Sequence, residues 1–255
     1  MTTIQLISDT HENFGDFIPN SRADLIIHAG DFFKCGPSPL DSIMDFINVC
    51  RKHGKDHLIV LGNHDFYMNT IDSDPLYDKL KREGVNCLRS GVKFQYNGWT
   101  FVGGTLWSDV SDRENPIKEN SARVIVPSFI SDFRAICKKD YSGKIELSDI
   151  RESYREHIEW IEKFRNSEKV FVMTHFQPTR KTVDPRFAGN KLNPYFMNEI
   201  DLTGFKHWAW GHCHRTIKNT VIDGCSVYCN AFGYSDQYGN SENPDFDPQY
   251  LIELE

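Results

Sequence analysis

The sequence has no Cys-x-x-Cys pair, although it contains Cys35, Cys50, Cys87, Cys137, Cys213, Cys225 and Cys229. Their number is odd, and a chain of 255 residues does not need a disulfide framework, so free thiols in a reducing compartment are expected. No apolar run approaches the roughly twenty residues that span a bilayer. Residues 1–10, MTTIQLISDT, lack the basic start and apolar stretch of an export signal, so a cytoplasmic location is expected. Excess positive charge is also lacking. Against 29 Lys and Arg stand 36 Asp and Glu, a formal charge of −7, which argues against a sequence-independent grip on long nucleic acid. No internal repeat or low-complexity linker divides the chain. One domain over residues 1–255, with a helical insertion near 105–165, is expected.

Short β-rich runs recur as IQLIS (4–8), DLIIHAG (24–30), HLIVLG (57–62), KVFVMT (169–174) and HWAWG (207–211). Near-continuous apolar runs of this length suit strands covered on both faces. Helical patterns lie between them. Ser38 is placed to cap a helix with Pro39 at its first position and Asp41 closing a capping box; Leu40, Ile43, Met44, Ile47 and Cys50 share one face, and Gly54 ends it. Asp74-Pro75 starts a second helix that ends at Gly84, and Ser148 starts a third with Ile150, Tyr154, Ile158, Ile161 and Phe164 inward. A further helix is expected near Ala122 to Cys137. VNCLRS, VKFQYNG and TFVGG within 85–104 predict antiparallel strands, with turns at Ser90-Gly91 and Asn97-Gly98. Strands return in TIKNTVI, CSVYCN and QYLIEL.

The chemistry lies just past the ends of the five core runs. The first leads to Asp9 and His11, the second to Asp31 with His28 nearby, the third to Asn63, His64 and Asp65. The fourth leads to His175 and the fifth to His212 and His214. In layered α/β folds ligands bind at the carboxyl ends of strands. One rim would then collect carboxylates, an amide and several imidazoles, too costly to bury unpaired. Divalent metal is the natural partner for mixed oxygen and imidazole donors. If Asp9-x-His11 and His212-x-His214 are extended, each pair sends both side chains to one side and Cys213 to the other.

The ordered set Asp9-Thr10-His11, Gly30-Asp31, Gly62-Asn63-His64-Asp65, Thr174-His175 and Gly211-His212-Cys213-His214 resembles the calcineurin-like metallophosphoesterase signature. GGTLWSD (103–109) and ENPDFDPQYLIEL (242–254) also resemble bacterial and phage members. Two departures stand out. Phe176 occupies the place of a frequent second His, and CNAFGY (229–234) replaces a frequent Asn-Pro-Arg-Gly-Tyr, removing a phosphate contact.

The resemblance implies a four-layer α/β/β/α sandwich with mixed sheets flanked by helices. It implies two divalent metal ions (Mn, Fe or Zn), one held by Asp9, His11 and His214, the other by Asn63, His175 and His212, with Asp31 bridging. It implies hydrolysis of a phosphoester, diester or monoester, by a hydroxide shared between the ions. His64 would stabilise or protonate the departing oxygen while Asp65 fixes its tautomer, and His28 would support or pack. A phosphorylated small molecule or nucleotide is the expected substrate. Arg180 and Arg186 of the polar loop 176–198, with Asn230, are the candidate substrate contacts. A nuclease, a protein phosphatase, or a non-catalytic scaffold of the same fold are the alternatives. The scaffold is disfavoured because every implied ligand and His64 are present.

Overall fold

The computed structural model describes residues 1–13 and 17–255. The smaller of two sheets has the strand order β10-β1-β2-β3, from β1 (Thr2–Ile7), β2 (Leu25–His28), β3 (Asp56–Ile59) and β10 (Leu251–Leu254). The larger has the order β4-β5-β6-β7-β9-β8, from β4 (Lys93–Tyr96), β5 (Trp99–Gly104), β6 (Val170–Thr174), β7 (His207–Trp210), β8 (Thr216–Ile222) and β9 (Cys225–Asn230). The inner strands run parallel, with Leu6 opposite Ile27, Ile27 opposite Leu58, Val102 opposite Val172 and Trp208 opposite Val227. The edge strands β10, β4 and β8 are antiparallel to their neighbours.

The period-2 alternation of side chains sorts the apolar runs into two cores. Ile4, Leu6, Leu25, Ile27 and Leu58 pack with Phe101, Phe171, Met173 and Ala209 between the sheets. Ile7, Ile26 and Ile59 turn instead to Ile43, Phe46 and Ile47 of α1 (Pro39–Lys52). On the larger sheet, Val102, Val172 and Trp208 share a core with Ile150, Tyr154 and Ile161 of α5 (Leu147–Glu162). Two mixed sheets flanked by helices result, and the expected four layers are borne out.

Local signals hold in part. The Ser38 hydroxyl accepts from the Asp41 amide at 3.2 Å, and α2 (Asp74–Arg82) is capped by Ser73. The third expected helix begins one residue earlier than read, because Glu146, not Ser148, caps α5 through a reciprocal box with Asp149. The expected helix at 122–137 is two: α3 (Pro116–Phe129) and α4 (Asp132–Ala135). Pro127 weakens the last turn of α3, and Ile130 is extended. Residues 85–90 form no strand. Only Cys87 bridges, to Ile59, while the expected hairpin is β4–β5. The short helix α6 (Asn193–Phe196) lies within the polar loop 176–198.

The two sheets meet at one rim. Ser8, past β1, donates its amide to the Asn230 carbonyl at 3.1 Å and accepts from the Phe232 amide at 2.9 Å. The carboxyl ends of β1, β2, β3, β6 and β7 all face this junction, which sets the place of the site.

Candidate metal centre

The chain does not run extended through the Asp-x-His and His-x-His blocks. Asp9 (φ 53°), His11 (φ 45°), Asp31 (φ 62°), His212 (φ 65°) and His214 (φ 43°) all adopt the left-handed conformation. Side-chain alternation therefore does not explain how each pair converges. A tight left-handed turn after the strand does, at a cost of about 1–2 kcal/mol for each non-glycine residue. The turns are held by backbone bonds. Asp9 N–H donates to the Gly30 carbonyl at 2.9 Å, and His11 N–H to the Asp31 carbonyl at 3.1 Å. The His212 amide donates to both Asp9 carboxylate oxygens at 2.9 and 3.0 Å, and the His64 amide to Asp31 Oδ1 at 2.9 Å.

Three glycines of the motifs give the acids and His175 room. A Cβ at Gly211 would lie 2.6 Å from Asp9 Oδ2, and one at Gly30 2.6 Å from His175 Nδ1. One at Gly62 would overlap the Asp31 carboxylate.

The candidate ligands come together. Asp9, His11 and His214 offer donor atoms within 4.8 Å of one another, and so do Asp31, His175 and His212. Asp31 Oδ2 lies 3.4 Å from His175 Nε2 and 3.9 Å from His11 Nε2, one nitrogen from each group. Asn63 Oδ1 is 3.0 Å from His175 Nε2. The imidazoles are aimed. His11 Nδ1–H donates to the Phe33 carbonyl at 3.1 Å, His175 Nδ1–H to the Ala29 carbonyl at 2.8 Å, and His214 Nδ1–H to the Glu242 carboxylate. Each then turns Nε2 inward, and His11 and His214 bring theirs to 3.3 Å. A proton on the outer nitrogen with an unshared pair on the inner one is how a His is prepared for a cation. His212 Nε2 is buried and has no hydrogen-bond partner among the described residues. Left empty, such an atom is costly to bury, so the donor set fits divalent cations.

The electrostatics agree. Burial works to raise the Asp9 carboxyl, but the His214 hydrogen bond and the charges of His175 and His214 outweigh it and hold it at about 2. Asp31 is likewise held well below its usual range by His175 and His64 against its burial. Burial would lower His175 and His214, yet Asp31 raises the first to about 9, and Asp9 with Glu242 raises the second to about 10. Burial lowers His11 to about 4. His212 falls well below its usual value through burial and the His175 charge.

His64 is half-buried beside this cluster, with a ring nitrogen within 4.8 Å of donor atoms of His11 and Asp31. Its Nε2 lies 3.4 Å from the Tyr67 hydroxyl and 3.3 Å from that of Tyr234. Asp65 does not serve it. Its Oδ1 accepts the amides of Phe32 and Phe33 at 2.9 and 3.1 Å, and its Oδ2 those of Asp31 and Gly62 at 3.0 and 2.8 Å. Both oxygens are occupied by main chain, so the expected tautomer-fixing role passes elsewhere. Burial and Asp31 push the Asp65 carboxyl up to about 7, against the lowering by these amides. His28 is buried and stacked on Phe32 at 3.7 Å. Cys213 approaches Cys229 at 3.6 Å between sulfurs, and all seven cysteines are free.

The substrate candidates separate. Arg186 lines a cavity of about 530 Å³ whose floor includes Asp31, Asn63, His64, His212 and His214. Arg180 does not line it: the guanidinium is tied to Asp112 at 2.8 Å, Glu199 at 2.7 Å and the Ser111 carbonyl at 2.6 Å. Asn230 is fully buried, its amide nitrogen donating to the Leu6 and Asp247 carbonyls, both at 2.8 Å, so it ties strands together and does not line this cavity. Reading by motif missed Asp132, Tyr67, Tyr195 and Glu242. Their positions carry no local spacing signal.

A family model described as calcineurin-like phosphoesterase matches residues 2–216. The chain belongs to this family. It is a metal-dependent phosphoesterase. An uncharacterized protein, L509, of Acanthamoeba polyphaga mimivirus is 26% identical over 288 residues, covering 100% of this chain and 98% of its own. Among solved structures, the phosphopantetheinyl hydrolase PptH of Mycobacterium tuberculosis superposes with a TM-score of 0.65 at 17% identity, covering 91% of this chain and 90% of that one. A dimetal phosphatase of Danio rerio matches at a TM-score of 0.42 and 14% identity, over 89% and 86%. Among the described residues of the phosphoesterase, no helix is long and apolar enough to cross a membrane.

Proposed function

We propose that the chain hydrolyses the phosphoester bond of a small phosphorylated molecule, of nucleotide size or less, at a centre of two divalent ions. One observation carries this reading. Four of the candidate ligands, Asp31, Asn63, His212 and His214, line a cavity of about 530 Å³ together with His64, in the size class of small-molecule sites.

Asp9, His11 and His214 would hold one ion, and Asn63, His175 and His212 the other, with Asp31 between them. Mn²⁺, Fe and Zn²⁺ all suit this donor set. When bound, such a pair supplies an activated water and neutralises phosphoryl charge. The residues do the rest. His64 faces the phosphoryl position, stabilises charge on the departing oxygen and gives it a proton. Arg186 at the rim meets the outer part of the substrate. Phe129, Val183, Phe187 and Phe196 form an apolar wall for its organic portion. The whole chain acts as one catalytic domain, the insertion near 105–165 supplying Phe129 to Asp132 to the cavity. The free thiols suit a reducing, cytoplasmic setting.

Turnover of p-nitrophenyl phosphate and bis(p-nitrophenyl) phosphate with added Mn²⁺ tests this. At least one is expected to be cleaved, to lose its rate on chelation, and to regain it with Mn²⁺. The ratio of the two ranks monoester against diester. Metal-loaded protein inert toward both, and toward a panel of nucleotides, would overturn the reading.

A further inference from the structure

Asp132 opens α4, inside the insertion and far in sequence from every motif. Its carboxyl is buried and receives three donors. Oδ1 accepts from Asn63 Nδ2 at 3.1 Å and from the Tyr67 hydroxyl at 2.8 Å; Oδ2 accepts from the Tyr195 hydroxyl of α6.

Which atoms can donate has two consequences. The Asn63 amide has one orientation here. Reversed, it would set its oxygen 3.1 Å from a carboxylate oxygen and turn its NH₂ toward the ion site. With Nδ2 held by Asp132, Oδ1 is presented beside His175 Nε2. Tyr67 has a single hydroxyl proton. Given to Asp132, it leaves the phenol oxygen as an acceptor, for the Ser131 hydroxyl at 2.8 Å and for His64 Nε2 at 3.4 Å, a nitrogen that the Tyr234 hydroxyl also approaches at 3.3 Å. The Tyr67 ring also stacks on His64 with centroids 4.4 Å apart.

We propose that Asp132 is a positioning residue for both halves of the centre: it fixes the Asn63 oxygen toward one ion, and through Tyr67 it sets the Nε2–H tautomer of His64. The first arm rests on the proposed ligation of an ion by Asn63. Asp132 takes the task that motif position suggested for Asp65, whose oxygens are filled by four backbone amides.

The test is Mn²⁺ binding by equilibrium dialysis with elemental analysis, on the metal-stripped full chain. The parent is expected to bind two ions. Asp132→Leu, of similar volume but with no acceptor, is expected to keep one and to bind the other about 10–100-fold more weakly. Asp132→Asn keeps an acceptor for Asn63 and is expected to stay within a few-fold of the parent. Tyr67→Phe should bind both ions as the parent does and lose about tenfold in kcat with KM little changed. Should Asp132→Leu not fold, Asp132→Ala, which is smaller and also has no side-chain acceptor, carries the same measurement. A purely structural role would lower the melting temperature of these variants and leave both affinities intact, and that result overturns the first arm. Unchanged kcat in Tyr67→Phe overturns the second. A parent that binds no Mn²⁺ would instead defeat the metal reading itself, so the two failures are distinct.

Discussion

Gly62 lies so close to Asp31 that a methyl group on its Cα would fall on the carboxylate. Asp31 and the start of the Asn-His-Asp block are thus packed side chain to backbone, with no spare volume. Gly62→Ala is expected to push Asp31 aside and cost about 1–3 kcal/mol of stability through overpacking. Elemental analysis should show fewer than two ions per chain, and phosphoesterase activity should fall with them. Full metal content in a folded Gly62→Ala protein would count against the bridge.

His64→Ala should separate chemistry from binding. The imidazole faces the donor atoms of His11 and Asp31 but is not among the assigned ligands. Both ions are expected to remain, while turnover falls about 10²–10⁴-fold, the usual worth of a positioned acid or base. The comparison is made at matched metal content, and equal rates would refute the role.

Ion binding should release protons. In the ion-free protein His175 and His214 are raised to about 9 and about 10, so both are charged at pH 7.5 and must deprotonate to ligate. Calorimetric titration with Mn²⁺ in buffers of different ionisation enthalpy should show net proton release. Apparent affinity should climb as pH rises toward 10. The stability sign is opposite. Groups raised from 6.5 stabilise the ion-free fold fully below about pH 6.5 and lose that contribution as pH rises through 9 to 10. Melting curves of stripped protein should fall across that window while those of loaded protein hold.

The two arginines of the 176–198 loop should behave differently. Arg186→Ala, at the cavity rim, is expected to raise KM several-fold and leave the melting temperature unchanged. Arg180→Ala strips a partner from the buried Asp112 and should cost about 1–3 kcal/mol, with KM unaltered. Steady-state kinetics and thermal melts decide both.

Asn230→Ala is expected to act on stability alone. Its amide nitrogen satisfies the Leu6 and Asp247 carbonyls in the interior. Leaving them unpaired should cost about 1–3 kcal/mol, with kcat per metal-loaded molecule unchanged.

Much of the centre is legible in the chain because strand order and strand ends are written locally. Apolar runs ending in Asp9, Asp31, Asn63, His175 and His212 place a carboxylate, an amide or an imidazole at each of five carboxyl ends, and the layered fold does the gathering. How they converge is not legible. Left-handed backbone at non-glycine positions such as His11 and His214 has no composition signal, so alternation along an extended chain is the natural but incorrect account. Asp65 shows a second limit. Its place beside His64 suggests a partnership, yet the 3₁₀ turn over His64–Phe66 points its carboxyl back to the amides of two loops. Asp132, Tyr67 and Tyr195 belong to the tertiary level entirely, since they lie on three segments distant in the sequence. Asn230 and Arg180 mislead for the converse reason: a polar residue near a motif is as often a girder as a hand.

Asp65 also bears on how the rim is held together. By gripping the amides of Asp31, Phe32, Phe33 and Gly62, one carboxyl knots the exits of two neighbouring strands into a single piece. The spacing between Asp31 and Asn63 is then braced by the polypeptide's own hydrogen bonds. The pair of loops that carries Asp31 and Asn63 is braced from inside the chain, by one side chain and four main-chain amides.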